Sequence, residues 1–261
     1  MRRARLILWI MAITGCLTLM GTSFTRAMDV TVRPQAFEIG TFYNGTTLNV
    51  EGRVGADQDV VVRFVGVPAD LHLKMKGKVL GCLWMNRGSV DFQGVPNVFV
   101  VYLPKPWEAL GPADSRDGES IWHLGLEGLE SRVTLEPQDE DKHLLFRELL
   151  KLKRKQRLYQ EEMGSIRYGS EDQGQRTFQV SLKIPARLTE GDYHLEVYAV
   201  SNGRVAESAS VPIRARLVGA PAFIKKMAYQ HALLHGVLAT LVAIFGGLLM
   251  GFLVGTGKGA H

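Results

Sequence analysis

From residue 28 onward, apolar and polar residues alternate in short pieces separated by turn formers, the period-2 pattern of half-buried strands. Val30-Thr31-Val32 opens the series and residues 47–52 continue it, with Asn44-Gly45 just before them as a turn dipeptide that tolerates positive φ. Residues 60–67 and 79–85 are strongly apolar runs, and residues 98–103 follow Gly94-Val95-Pro96-Asn97. Each predicts a strand. Alternation returns over 177–185 and 193–200, and Ser201-Asn202-Gly203-Arg204 predicts a tight hairpin into 205–217. Strands at this spacing, punctuated by Gly, Pro and Asn, predict a sandwich or barrel rather than βαβ units.

The period changes between residues 104 and 163. Asp139-Glu140-Asp141 is an acidic helix start, and Leu145, Leu149, Leu152 and Tyr159 then recur at helical spacing before Gly164. One amphipathic helix over 141–163 is predicted, with Arg147, Lys151, Arg154 and Lys155 on its opposite face, and a weaker helix over 121–129. Gly191-Asp192-Tyr193 with Leu195 and Val197 resembles the tyrosine corner of immunoglobulin-like sandwiches. The fold expected is mainly β: an immunoglobulin-like β-sandwich over 28–220 with a helical insertion at about 105–163. Two domains split near the insertion are the alternative.

Both ends of the chain carry long apolar runs. Residues 1–27 have a basic start (Arg2, Arg3, Arg5), an apolar stretch over 6–20 and Thr25-Arg26-Ala27 at the end, the layout of a signal peptide cleaved after Ala27. Retention as an anchor is one alternative. Lipidation at Cys16 is the other, because Ile13-Thr14-Gly15-Cys16 resembles a lipobox. Residues 237–254 are uncharged and apolar, close to the roughly 20 residues that span a bilayer as a helix. A juxtamembrane segment, 221–236, leads into this transmembrane helix, and 255–261 form a short tail. An exported amino terminus and one stop-transfer helix place the β domain outside and the tail inside. Gly247, Gly251 and Gly255 recur every four residues on one face of that helix, where a second backbone could approach closely.

Composition changes the picture in one respect. The formal charge is +5, from 31 basic and 26 acidic residues. Without Arg2, Arg3, Arg5 and Arg26 the balance becomes 27 to 26, so the mature chain is nearly neutral and nucleic-acid binding is not expected. Aromatic interleaving suited to base stacking is also missing from the basic helix face. That face is read as a solvated surface or a contact for anionic headgroups. His231 and His235 lie four apart near the membrane boundary, as interfacial anchors, a proton-sensitive pair or metal ligands.

Motifs of chemistry are few. The sequence has no Gly-x-Ser-x-Gly elbow, Walker loop, dinucleotide fingerprint or His-Glu-x-x-His pair. Ser115, Ser120 and Ser131 near His123 form only a weak hydrolytic constellation. The better metal candidates are His72, Met75, Cys82 and Met85, whose imidazole, thioether and thiolate groups suit Cu(I). Core filling is the favoured reading for Cys82 and Met85, which lie three apart on an apolar strand around Trp84.

Several segments in order resemble a known family: Cys82-Leu83-Trp84-Met85-Asn86 leading to Val98-Phe99-Val100-Val101-Tyr102, then Phe146-Arg147-Glu148-Leu149 with Leu158-Tyr159. Residues 178–185, Gly191-Asp192-Tyr193 with Val197-Tyr198, and the terminal apolar helix complete the match. The chain is similar to the alpha-proteobacterial putative transmembrane proteins, a family without an established activity, over roughly 31–254. The resemblance implies a bacterial envelope protein with an exported β-rich domain and one membrane helix, and an anion-exporter-like permease as a transport partner. It carries over no catalytic residue and no cofactor. The expected function is a non-enzymatic accessory subunit of an envelope or transport complex in the bacterial inner membrane, its ectodomain in the periplasm. Its partners are the lipid bilayer and a membrane protein, or a second copy, met through the transmembrane helix. A periplasmic copper-handling protein and an envelope hydrolase are the alternatives.

Overall fold

A computed structural model describes residues 28–79, 83–111, 120–137 and 141–255. Thirteen strands in these residues form three sheets. The first is four-stranded, in the order β1 (Val30–Arg33), β3 (Thr46–Gly55), β11 (Gln175–Ile184) and β10 (Ile166–Asp172), all antiparallel. The second runs β2 (Ala36–Ile39), β13 (Arg204–Leu217), β12 (Gly191–Ser201), β4 (Asp59–Val65), β7 (Phe99–Leu103) and β9 (Tyr159–Met163). Its outer pairs, β2 with β13 and β7 with β9, are parallel and its inner pairs antiparallel. A long hairpin, β5 (Pro68–Val79) and β6 (Leu83–Pro96), joins β8 (Thr134–Glu136) as the third sheet.

Alternation decides what meets what. Leu48 and Val50 of β3 and Phe178, Val180 and Leu182 of β11 share one core with Val60, Val62 and Phe64 of β4 and Leu195 and Val197 of β12. The odd positions of β4 and β7, Val61, Phe99, Val101 and Leu103, belong to a second core on the far face of the six-stranded sheet. Covering that face are Val90 and Phe92 of β6, Ile121, Leu124 and Leu129, and Phe146, Leu149 and Leu150. Strands covered on both faces read as continuous apolar runs rather than alternating ones. This accounts for residues 60–67 and 98–103.

Turn chemistry agrees with the sequence at two places. Asn202 and Gly203, with φ of 53° and 77°, close the β12–β13 hairpin beyond the Ser201↔Arg204 pair. Gly45 has φ 91°, and a Cβ there would lie 2.6 Å from the Ile184 carbonyl oxygen, so only glycine fits.

Three elements differ from their predicted form. The amphipathic helix α2 (Lys142–Lys155; α1 is the single turn Trp107–Leu110) ends eight residues before Met163. Arg157 takes a left-handed φ of 59°, the Leu158 N–H turns back to the Lys153 carbonyl, and the chain continues as β9 beside β7. Tyr159, read as part of the helical stripe, is a strand residue whose hydroxyl donates to the Pro96 carbonyl at 2.7 Å. At the start, the Asp141 carboxylate accepts from the Leu144 N–H at 3.0 Å, whereas Asp139 and Glu140 lie outside the described residues. Residues 121–129 form two 3-10 turns, Ile121–Leu124 and Glu127–Leu129, instead of one helix. Residues 79–85 are not one strand either: Val79 pairs with Leu83, so this run is the end of the β5–β6 hairpin. Leu83 and Met85 are consequently exposed at 59% and 47% rather than filling a core.

Candidate functional site

The carboxy-terminal part of the described chain is two helices, α3 (Gly219–Gln230) and α4 (Ala232–Gly255). In α4, residues Ala232–Leu253 are long and apolar enough to cross a membrane, and none of that stretch is buried within the protein. At 1.5 Å per residue its 24 residues extend about 36 Å, against a hydrocarbon core of about 30 Å. Its hydroxyl is satisfied internally, Thr240 Oγ1 donating to the Gly236 carbonyl at 2.9 Å, as a lipid-facing position requires. A Cβ added at Gly247 or Gly251 meets nothing within 4 Å, so the face these residues share is open. Gly255 is the last residue of α4.

His231 stands between the two helices with φ −134° and ψ 53°, its N–H bonded to the Met227 carbonyl. Only His235 is therefore inside α4, and the pair does not share one continuous helix face as its spacing suggested. On α3, Lys225 forms an ion pair with Glu190, in the connection between β11 and β12. The helix leaves Phe223, Ile224 and Tyr229 exposed. An amphipathic helix with exposed aromatic and aliphatic residues beside a membrane segment has the composition of an interfacial helix.

The metal candidates are not brought together. His72 is paired across the hairpin with Asp91, its Nδ1 2.7 Å from Asp91 Oδ1, and lies in solvent. That hydrogen bond, then the charge of Asp91, raises the His72 pKa above its ordinary value. Met75 is on the opposite face of β5 and packs against the second core. Met85 is exposed near the hairpin end, opposite Gly77, and Cys82 lies outside the described residues. Among the described residues, no group of three or more His, Cys, Asp and Glu side chains is arranged to hold a metal.

The serine constellation is similarly dispersed. His123, Glu130 and Ser131 line one shallow concavity with Trp122, but Ser131 Oγ donates to the Gly128 carbonyl at 2.9 Å. Ser120 is buried with its hydroxyl unpaired, and Ser115 lies outside the described residues.

One polar cluster escaped the sequence reading. Arg63 is 3% exposed, on the second-core face of β4. Its Nε donates to Glu196 Oε2 at 2.6 Å, its Nη2 to the Tyr198 hydroxyl at 2.7 Å and its Nη1 to the Leu124 carbonyl at 3.4 Å. Phe99 and Tyr198 place their rings 5.3 and 5.1 Å from the guanidinium carbon. Burial pushes the Tyr198 hydroxyl up to about 12, against the opposing pull of Arg63. The cluster ties the six-stranded sheet to the 3-10 turns, each guanidinium nitrogen having a hydrogen-bond partner. It has the features of a structural clamp.

Among the described residues, a mainly β domain is joined through an amphipathic helix to one candidate span, the layout of a membrane protein. The chain belongs to the family described as Putative transmembrane protein (Alph_Pro_TM), whose family model matches residues 28–255. Comparison with curated proteins finds no match.

Proposed function

We propose that this protein is a non-enzymatic, single-pass accessory subunit of a bacterial envelope or transport complex. Its β domain lies in the periplasm, α4 crosses the inner membrane, and a second helix packs on the glycine face of α4. The observation that carries this reading is the pairing of an uncharged apolar helix with an open Gly247–Gly251 face. A helix that only anchors has no use for glycine, which weakens soluble helices by about 1 kcal/mol per residue relative to alanine. Close backbone approach in lipid is the compensating gain. The partner is an anion-exporter-like permease or a second copy of this chain. The family match begins at residue 28, directly after the expected cleavage point, which supports an exported domain behind a removable leader.

The β domain is read as immunoglobulin-like. Two observations support this class: the order β1-β3-β11-β10 follows the A-B-E-D sheet, and β13-β12-β4 follows G-F-C. Tyr193, near the start of β12, is buried, stacks on Phe64 and donates its hydroxyl to the Thr189 carbonyl at 2.6 Å, the hydrogen bond of a tyrosine corner. Sandwiches of this kind present surfaces for binding, and the fold alone names no ligand.

Mild-detergent purification with mass spectrometry of co-purifying membrane proteins is the direct test. Gly251→Leu should insert normally and lose a membrane partner or self-association by at least several-fold. Full retention of both would make α4 a plain anchor and overturn the accessory role argued from it.

A further inference from the structure

The end of the β domain from which the chain leaves for α3 carries an aromatic side chain that none of the described residues covers. β2 and β13 run parallel, from Ala36↔Arg214 to Ile39↔Leu217, and so finish together. The Val218 N–H donates to the Ile39 carbonyl at 3.1 Å, and α3 starts at Gly219. After β2 the chain turns at once over residues 40–43, the Tyr43 N–H donating to the Gly40 carbonyl at 3.2 Å. Phe42 stands at the tip of this turn and is 96% exposed.

Its neighbour holds it there. Tyr43 is turned inward, its ring stacked on Phe37 with centroids 6.0 Å apart, and its hydroxyl donates to the Pro185 carbonyl at 3.4 Å. Phe42 is correspondingly turned out, in a run over 39–50 that carries no charge. The β11–β12 connection lies at the same end, because Ile184 of β11 pairs with Thr46 at the start of β3. Within that connection Arg187 is exposed, and the acid Glu190 is ion-paired with Lys225 of α3.

That ion pair also sets how far the domain stands from the membrane. The 12 residues of α3 extend about 18 Å at 1.5 Å per residue, and an upright α3 would hold the domain that far from α4. Lys225 lies midway along α3, so the helix runs alongside the end of the domain instead of standing off from it. Ala220, Phe223, Ile224, Met227 and Ala228 follow the i, i+3, i+4 spacing of one helix face, with Phe223 and Ile224 exposed, while Lys226 is exposed outside that stripe. A helix lying in the interface on such a stripe brings the end of the domain down to the headgroups. A protein groove would account for Phe42 alone. A bilayer accounts for Phe42, the α3 stripe and the cations Arg187 and Lys226 together, and α4 leads directly into it.

We propose that the turn over residues 40–43 is a second membrane contact, the Phe42 ring entering the headgroup–acyl boundary beside α3. The contact rests on the reading that α4 crosses the bilayer. It seats the β domain on the membrane and fixes its tilt, which a single spanning helix leaves free.

The test uses the full chain, with Cys16→Ser and Cys82→Ser, in nanodiscs of phosphatidylethanolamine and phosphatidylglycerol. An environment-sensitive fluorophore is placed singly at Thr41→Cys, Ser170→Cys or Leu248→Cys, and quencher lipids report depth. Thr41 is exposed beside an intact Phe42, and Ser170 lies toward the opposite end of the four-stranded sheet. The probe at 41 should be quenched several-fold more by headgroup-level quenchers than the probe at 170. Phe42→Asp or Phe42→Ser should reduce that difference at least two-fold, with circular dichroism unchanged because the side chain packs on nothing. A probe at 41 quenched no more than that at 170, while the probe at 248 is quenched from the acyl chains, overturns the turn contact alone. Quenching at 41 that survives both substitutions in full also overturns it. A probe at 41 shielded from water but untouched by quencher lipid assigns the turn to a second copy of the chain, with the same consequence. An unquenched probe at 248 removes the reading of α4 and this proposal with it.

Discussion

Arg63 interrupts a run of valines, and a charge in that position is tolerated only when its hydrogen-bonding capacity is met. The anomaly was legible in the sequence as one charge among apolar neighbours, but its partners were not. Glu196 and Tyr198 lie 133 and 135 positions away and reach it only because β12 pairs with β4. Tyr193 was more readable, since its hydrogen bond returns only four residues along the chain. Buried tyrosines also give the fold a pH limit. Burial pushes Tyr102 and Tyr198 up to about 12, and burial with the neighbouring Tyr193 does the same to Tyr43. Phenols of the unfolded chain ionise near 10, so the unfolded state alone releases these protons between pH 10 and 12. The stabilisation is fully present below pH 10 and is lost as pH rises through that window. Absorbance of tyrosinate should therefore appear in two stages, the second coinciding with loss of near-ultraviolet circular dichroism. A single reversible stage near pH 10 with the fold intact would contradict this assignment.

At the level of elements, periodicity located most segments and misjudged where some of them end. Helix α2 and strand β9 are adjacent, and Tyr159 fits the apolar stripe of the first while belonging to the second. Local pattern has no means of separating them, because the break depends on β7 offering an unpaired edge to residues 159–163. The run over 79–85 was misread for a related reason. A strand buried in a core and the exposed end of a hairpin have the same apolar composition, and only the Val79↔Leu83 register distinguishes them. The start of α2 is set locally and can be tested locally. Asp141→Ala removes the acceptor for the Leu144 N–H and should cost about 1 kcal/mol of domain stability in chemical denaturation. Asp141→Asn should retain most of it, since an amide oxygen caps almost as well.

At the scale of the whole molecule, two cores share one sheet, and the apolar helix stands apart from both. The proposed periplasmic placement of the β domain makes topology the decisive measurement. An impermeant thiol reagent applied to intact spheroplasts should label Ser170→Cys in a background lacking both native cysteines. Labelling only after the membrane is opened would place the domain in the cytoplasm. Membrane character, the β-rich class and the glycine spacing of α4 could all be read from the chain alone, because lipid and strand burial impose local periods on sequence. So could the turns at Gly45 and Asn202-Gly203, where backbone sterics leave few residue choices. The partners of Arg63, the strand identity of residues 159–163 and the exposure of Leu83 and Met85 required the folded molecule. Each depends on which distant segment lies alongside, a pairing set by burial summed over whole sheets and recorded in no single stretch of residues.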